Sequence, residues 1–484
     1  MKLTVARTKP LFVAVVVVAA LCNGSVASEQ TEWGTGQPPT GTTQSVPDLD
    51  AQVAYQRAFE ATLWAMPAVA IYRFRAGMLR VPGMADNVVA TTVTPLATKQ
   101  EFITPNQTTP YTTAVSDLRN GAVVLEVPAK TDKVVLYGQI VDAWQSTIAG
   151  VGPVGEDKGA GGKYLLVPPS YNGPIPHGYF VVHSSTYRIT FAFRAIQLEG
   201  ATAADANAYT KLLKMYPLSE AANPTSTRFV DVRPYTVHTL PFYDIRALQD
   251  IYDIVSVEPV QPRDKVMMGM LATIGIEPGK PFNPPENYRA AMERGIIDAY
   301  HYMQNLVTKL FASNLYWPDR HWSFVMVPDA QHGFEFVSND AVEIDKRAAA
   351  WFFFTFYPKV LSEKAGTVYL APIADTNGRP LQAGKTYKLR VPKDTPAKEF
   401  WSLTVYDRAT WAFINNPLDR AGLDSFNKNM KMNVDGSVDL YFGPNAPAGL
   451  ESNWIPTMGK EPYLWPGYTV RRMPSGTRHS RCPM

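Results

Sequence analysis

Asp142 is the first residue whose placement could do chemistry. In the run 133–144, alternation puts Val134, Leu136 and Ile140 on one face, and that face also carries Asp142 and Trp144. An acid on an apolar face must be paired, hydrogen-bonded or neutral; once desolvated it is poised as a general base. A second acid, Asp407, closes the alternating run 400–407 and is followed directly by Arg408, a guanidinium suited to an anionic group. In the run 187–195, Tyr187, Ile189, Phe191 and Phe193 share one face, while Arg188 and Arg194 lie on the other. Arg188 is a further candidate for holding an anion. The stretch 317–322 concentrates an acid, a base and aromatics, so His321 is a candidate pocket residue. The competing reading is a turn pinned by Asp319 and Arg320.

These residues need a scaffold. The spacing predicts a helix over 49–79, with Tyr55, Phe59, Leu63 and Met66 near i, i+4 spacing, kinked or split at Pro67. Strands are expected at 121–127, 133–144, 164–167, 179–183 and 187–196, with Gly, Pro and Asn turns between them. Strands in series without long helices between them favour an antiparallel sandwich. Helices are expected at 201–216 and 241–252, from Asn283-Pro284-Pro285-Glu286 to about Phe311, and from Asn339 or Asp340 through Phe356. The last opens on the capping-box spacing of Asp340 and Glu343, and its run 348–356 is apolar all round. Strands resume over 366–391, followed by the run 400–407 and a further strand at 438–442.

A chain of 484 residues exceeds one ordinary core. A charged fraction of 18% with 46% hydrophobic residues fits a globular protein, and a net charge of +3 gives no reason to expect nucleic acid or an acidic membrane. Forty prolines and 32 glycines supply the turns of β-rich domains. The start reads as a signal peptide: Lys2, Arg7 and Lys9, an apolar run 11–21, then Ser25-Val26-Ala27 as a cleavage site. The expected product is exported, periplasmic or secreted, with no membrane segment after cleavage behind Ala27. It keeps Cys482 alone of the two cysteines, so no intrachain disulfide forms.

Several segments together resemble a paired bacterial family known as domain of unknown function 1254 (N-terminal) and 1214 (C-terminal). The N-terminal likeness rests on Thr104-Pro105-Asn106 with Thr109 and Tyr111, on 139–144, 150–153 and 161–164, and on Tyr187-Arg188 and Phe193-Arg194. The family pattern has an Asp two residues after its Asn, where this chain has Thr108. The C-terminal likeness rests on Asp407-Arg408, 415–420, 435–442 and 451–456. The resemblance spans most of residues 50–467 and implies an immunoglobulin-like sandwich, a helical region and a jelly-roll-like second sandwich. After Trp465 the chain departs from the pattern, and we expect a divergent or frame-shifted tail from about 466 that removes one strand.

The reading is therefore an α+β chain. It comprises a signal peptide (1–27), a flexible leader (28–48), a helical segment (49–90), a first sandwich (91–200), a helical linker and insert (201–356) and a second sandwich (357–484). Polar residues that coincide with the family motifs are the expected site. Asp142 and Asp407 are the catalytic candidates; Asn106, Tyr111, Trp144, Arg188, Arg408, Asn416 and Asn453, with His321, are ligand-binding candidates. The competing reading makes Asp142 and Asp407 anchors for backbone amides at strand ends, and Asn416-Pro417 a turn former. Gly150–Gly155 is formally G-x-G-x-x-G, but an acidic, turn-forming stretch follows it where a dinucleotide site needs a helix, so no dinucleotide is expected. No cysteine cluster or H-E-x-x-H is present; a divalent metal on Asp142, Glu156 or Asp157 is left open without diagnostic spacing. Two functions follow: a hydrolase-like enzyme on a small organic substrate, or a non-catalytic small-molecule-binding or assembly module, with a homo-oligomer allowed.

Overall fold

The computed structural model describes residues 48–92, 94–325, 336–338, 340–357, 368–395 and 397–470. The expected signal peptide and nearly all of the leader lie outside the described residues, as does everything after Val470.

Helix α1 (Leu49–Leu79) begins and ends where its periodicity predicts. It is continuous through Pro67, neither split nor ended there. Residues on every side of that point, from Ala61 to Ile71, are buried, and Gln145 Nε2 donates to the Pro67 carbonyl at 2.9 Å. Tertiary packing outweighs the local penalty of the proline.

The chain then forms β1 (Val89–Thr91), β2 (Tyr111–Asp117), β3 (Val123–Val127), β4 (Val134–Val141), β5 (Thr147–Val151), β6 (Gly162–Val167), β7 (Tyr179–His183) and β8 (Arg188–Gln197). Next come α2 (Ala203–Thr210), β9 (Lys214–Pro217), β10 (Phe229–Asp231), α3 (Arg246–Val255), α4 (Lys265–Ala272) and α5 (Arg289–Ser313). They are followed by β11 (Trp322–Phe324), α6 (Ile344–Phe353), β12 (Val368–Pro372), β13 (Tyr387–Val391), β14 (Ala397–Asp407), β15 (Gly422–Asp424), β16 (Val438–Gly443), β17 (Trp454–Pro456) and β18 (Pro462–Val470). The helix expected over 201–216 is cut short, because residues 214–217 pair with β3 as a strand. Helix α6 starts at Ile344, since Ser338 closes a turn onto Ala341 and Val337 bridges Val342.

The fold is α+β with antiparallel-rich sheets. A six-stranded sheet, β10-β1-β2-β8-β4-β5, and a four-stranded sheet, β7-β6-β3-β9, share one core. Alternation drives this: Ile189, Phe191 and Phe193 of β8 meet Leu125, Tyr164 and Leu166 across the gap. A five-stranded sheet, β11-β12-β18-β14-β15, and a three-stranded sheet, β13-β16-β17, share a second core containing Leu403, Val405, Leu440 and Ile455. Strand β18 lies between β12 and β14 and continues past Pro466 to Val470, so the expected loss of strand at 466 does not occur within the described residues. A third core joins the other face of the six-stranded sheet to α1, α5, α6 and the aromatics Tyr406, Tyr463 and Trp465. Among the described residues no helix is long and apolar enough to cross a membrane.

Helices α1 and α5 approach at Gly295, where an added Cβ would lie 2.4 Å from the Tyr55 carbonyl oxygen. Alanine is the better helix former by about 1 kcal/mol. We nevertheless expect Gly295→Ala to lower the unfolding free energy by about 1–3 kcal/mol in urea titrations, because the helices must separate. An unchanged or raised value would show that this contact does not limit the packing.

Candidate functional site

Strand β8 builds the candidate sites by its period of two. Its core-facing residues are apolar, so Arg188, Thr190, Ala192 and Arg194 stand on the opposite face, beneath α1 and the third core. Arg188 and Arg194 are six residues apart, about 20 Å along the strand, and they enter two different surroundings.

Arg194 lies where the six-stranded sheet meets β12, β14 and β18, a junction we term the chamber. Sheet register places it directly between Tyr111 of β2 and Tyr137 of β4. Its Nη1 donates to the Tyr369 hydroxyl of β12 at 3.4 Å, a long bond. No carboxylate lies in ion-pair contact with it among the described residues. The Tyr111 hydroxyl accepts from the Asn106 amide at 3.1 Å, and Tyr406 of β14 donates to the Pro105 carbonyl at 2.6 Å. Trp465 of β18 stands edge-on to Tyr369, ring centres 5.3 Å apart. The Trp465 indole nitrogen and the Tyr463 hydroxyl are buried without a protein partner. Buried polar groups in folded proteins are nearly always satisfied, so such donors point to something further in the space they face.

Burial has the largest influence on Arg194 and opposes its charge. Attraction to the oxygens of Tyr369, Tyr111 and Tyr406, which belongs to their ionised forms, and the Tyr369 hydrogen bond act the other way, and the net direction is upward. Burial pushes Tyr111 up to about 12 and raises Tyr406 and Tyr463 well above the ordinary tyrosine range. At neutral pH the hydroxyls stay protonated. Arg194, Tyr111 and Tyr369 nonetheless remain partly exposed, so a water-sized molecule reaches them. The chamber offers one permanent cation, phenolic hydroxyls and aromatic walls.

Arg188 borders a small, partly open cleft with Ile71, Tyr72, Arg75, Asp142 and Glu258. Strand β4 ends at Val141, and Asp142 ties the following turn: Oδ1 accepts from the amides of Trp144 (2.8 Å) and Ser146 (2.9 Å), and Oδ2 from Ser185 Oγ (3.3 Å). Burial raises its pKa, against those amide bonds and the charges of Arg263 and Arg347. Glu258 accepts from the amides of Tyr187 (2.7 Å) and Arg188 (3.3 Å), and burial pushes it up to about 7.

The remaining candidates lie apart from both sites. Trp144 is buried against Trp64, ring centres 4.8 Å apart. Asp407 accepts from the Ala409 amide at 3.1 Å and pairs with Lys460. Arg408 binds Gln304 and covers Trp411 at 4.2 Å. Asn416 accepts from the amides of Leu418 and Arg420 and donates to the carbonyls of Ile414 and Arg420, closing a turn. Asn453 ties Lys431 and Asp439 by backbone bonds. His321 is exposed beside Gly378. The Gly150–Gly155 loop closes on Glu156 and Asp157, which accept from the amides of Gly150 and Gly152. Among the described residues no group of three or more His, Cys, Asp or Glu could hold a metal ion. Sequence reasoning placed Arg194 on the face away from the core without giving it a role. Tyr369 and Trp465 join it only through strand pairing.

Residues 87–217 match the family model described as protein of unknown function (DUF1254), and residues 366–465 match that of protein of unknown function (DUF1214), in that order along the chain. The chamber thus draws Tyr111 and Arg194 from the first matched segment and Tyr369, Tyr406 and Trp465 from the second. No curated protein matches the sequence. The crystal structure of the VPA0106 protein from Vibrio parahaemolyticus is similar in fold, with a TM-score of 0.52 at 18% identity, over 87% of this chain and 96% of that one. An uncharacterized protein from Burkholderia cenocepacia aligns over 88% of this chain and 93% of its own at 11% identity, with a TM-score of 0.36, a likeness too distant to define a fold.

Two buried acids on and after α3 make stability depend on pH. Glu258 and Asp250 are both pushed up to about 7 by burial, which at Asp250 outweighs Arg73 at 3.7 Å. Unfolded carboxyls titrate at about 4, so between about pH 4 and 7 the folded chain keeps protons that the unfolded chain releases. Their contribution is therefore full at low pH and is lost as pH rises to about 7. Glu258→Gln with Asp250→Asn should remove that decline, which amounts to about 2 kcal/mol of unfolding free energy per group between pH 5 and 7.5. Parallel slopes in variant and parent would contradict the assignment.

Proposed function

We propose that the chain is a small-molecule-binding protein whose ligand is an organic anion, its acidic group held by Arg194 between Tyr111 and Tyr369 and its body against Trp465. The observation that carries this reading is a deep guanidinium without a carboxylate partner among the described residues. Of the two functions expected from sequence, the binding module fits better. Protonated tyrosines supply donors and no base, so a hydrolytic step would draw its base from elsewhere. In this reading the expected immunoglobulin-like sandwich (91–200) is extended by β1, β9 and β10 and the jelly-roll-like one (357–484) by β11, with the helical insert (201–356) supplying those added strands after β8 and the helices between them. The protein acts after export and cleavage behind Ala27.

Calorimetric titration with a panel of small aliphatic and aromatic carboxylates tests the proposal. Arg194→Met should weaken binding at least tenfold and Tyr369→Phe several-fold, since hydrogen bonds to charged groups contribute about 1.5–3 kcal/mol. Arg194→Met should leave the ligand-free melting temperature unchanged or raise it, because an uncompensated buried charge costs the fold stability. A large fall in melting temperature would assign Arg194 a structural task, and undiminished binding would overturn the proposal.

A further inference from the structure

The cleft at the other end of β8 has its own chemistry. Arg75, from α1, and Arg188, from β8, line it together. Arg75 pairs on one side with Asp86, with contacts of 2.7 and 2.9 Å, and its charge still acts on Arg188. Arg188 has no carboxylate in ion-pair contact among the described residues. Its Nη1 reaches only the Asp253 carbonyl, at 3.5 Å, and its Nε is buried without a partner. The acids that share the cleft are turned away from it in their bonding: Asp142 accepts from the Trp144 and Ser146 amides, and Glu258 from those of Tyr187 and Arg188. Tyr72 fixes one wall, its hydroxyl bonded to Asp253 at 2.6 Å and its ring 5.9 Å from the Arg188 guanidinium.

We infer that this cleft is a second binding site, for a small oxyanion held between Arg188 and Arg75. Two like charges facing one space repel, and the positive charge of Arg75 does lower the pKa of Arg188, after the larger effect of burial. An anion between them removes that repulsion and gives Arg188 the forked partner its geometry favours. The enclosed space, about 20 Å³, has room for little more than a water molecule, so the occupant is a small ion or the acidic end of a slender molecule reaching in from the open side. Phosphate, sulfate and carboxylate share the required chemistry.

Calorimetric titration of the folded chain with inorganic phosphate, sulfate, acetate and phenyl phosphate, at constant ionic strength in chloride, tests the inference. At least one of these ions should bind. Arg188→Gln should weaken that binding about tenfold or more, whereas Arg194→Met, in the chamber, should leave it intact. Inorganic phosphate binding as well as phenyl phosphate identifies a free-ion site; tighter phenyl phosphate identifies the end of an organic ligand. Arg188→Lys keeps the charge without the fork and should weaken binding several-fold with an unchanged melting temperature, which covers the case in which Arg188→Gln does not fold. Absence of binding at millimolar ion, or binding indifferent to both Arg188 variants, would overturn the inference. Loss in Arg194→Met alone would move the ion to the chamber.

Discussion

The charge on Arg194 is the constraint around which the middle of the molecule is arranged. Burial opposes the guanidinium, and tyrosine hydroxyls rather than a carboxylate face it among the described residues. Dipoles of neutral hydroxyls offset desolvation less completely than an opposite charge does. The protein therefore holds a cation in reserve, at a place where the sheet of one matched segment meets the aromatic strands of the other.

Keeping such a charge requires rigid surroundings, and the third core supplies them. Helix α6 opens on the exposed Asp345 and Lys346 and is buried from Arg347 to Phe353, its run 348–353 apolar all round. Phe353 and Phe354 meet Trp465, and Tyr463 stacks on Phe311 of α5. Strand β14 serves two cores at once, with Leu403 and Val405 on one face and Tyr406 on the other. The aromatic walls of the chamber are thus fixed by the same alternation that fills the second core. Helix α1 completes the enclosure, packing Phe74 against Phe102 just before the Asn106 turn.

Elements with a strong period of their own were legible in the sequence. Helix α1 was read to its last residue, and the two faces of β8 were assigned as the cores require. Strands β2 and β5 were not named: β2 is polar and threonine-rich, and β5 lies in a glycine-rich stretch that reads as a loop. Asp142 stood out because it extends the apolar face of β4, yet the strand stops one residue earlier and the acid binds turn amides. Asn106 and Tyr111 were selected by family likeness; Tyr111 is the register partner of Arg194, and the Asn106 amide bonds the Tyr111 hydroxyl. Their partners Tyr369, Tyr406 and Trp465 lie more than 250 residues away, and the pairing that unites them has no local signature.

The most direct test is crystallographic, using bromide as a heavy anion. If Arg194 is an anion-holding cation, crystals soaked in bromide should show an anomalous peak within hydrogen-bonding reach of its guanidinium, and Arg194→Met crystals should lack it. Bromide bound at surface arginines with none beside Arg194 would contradict the account.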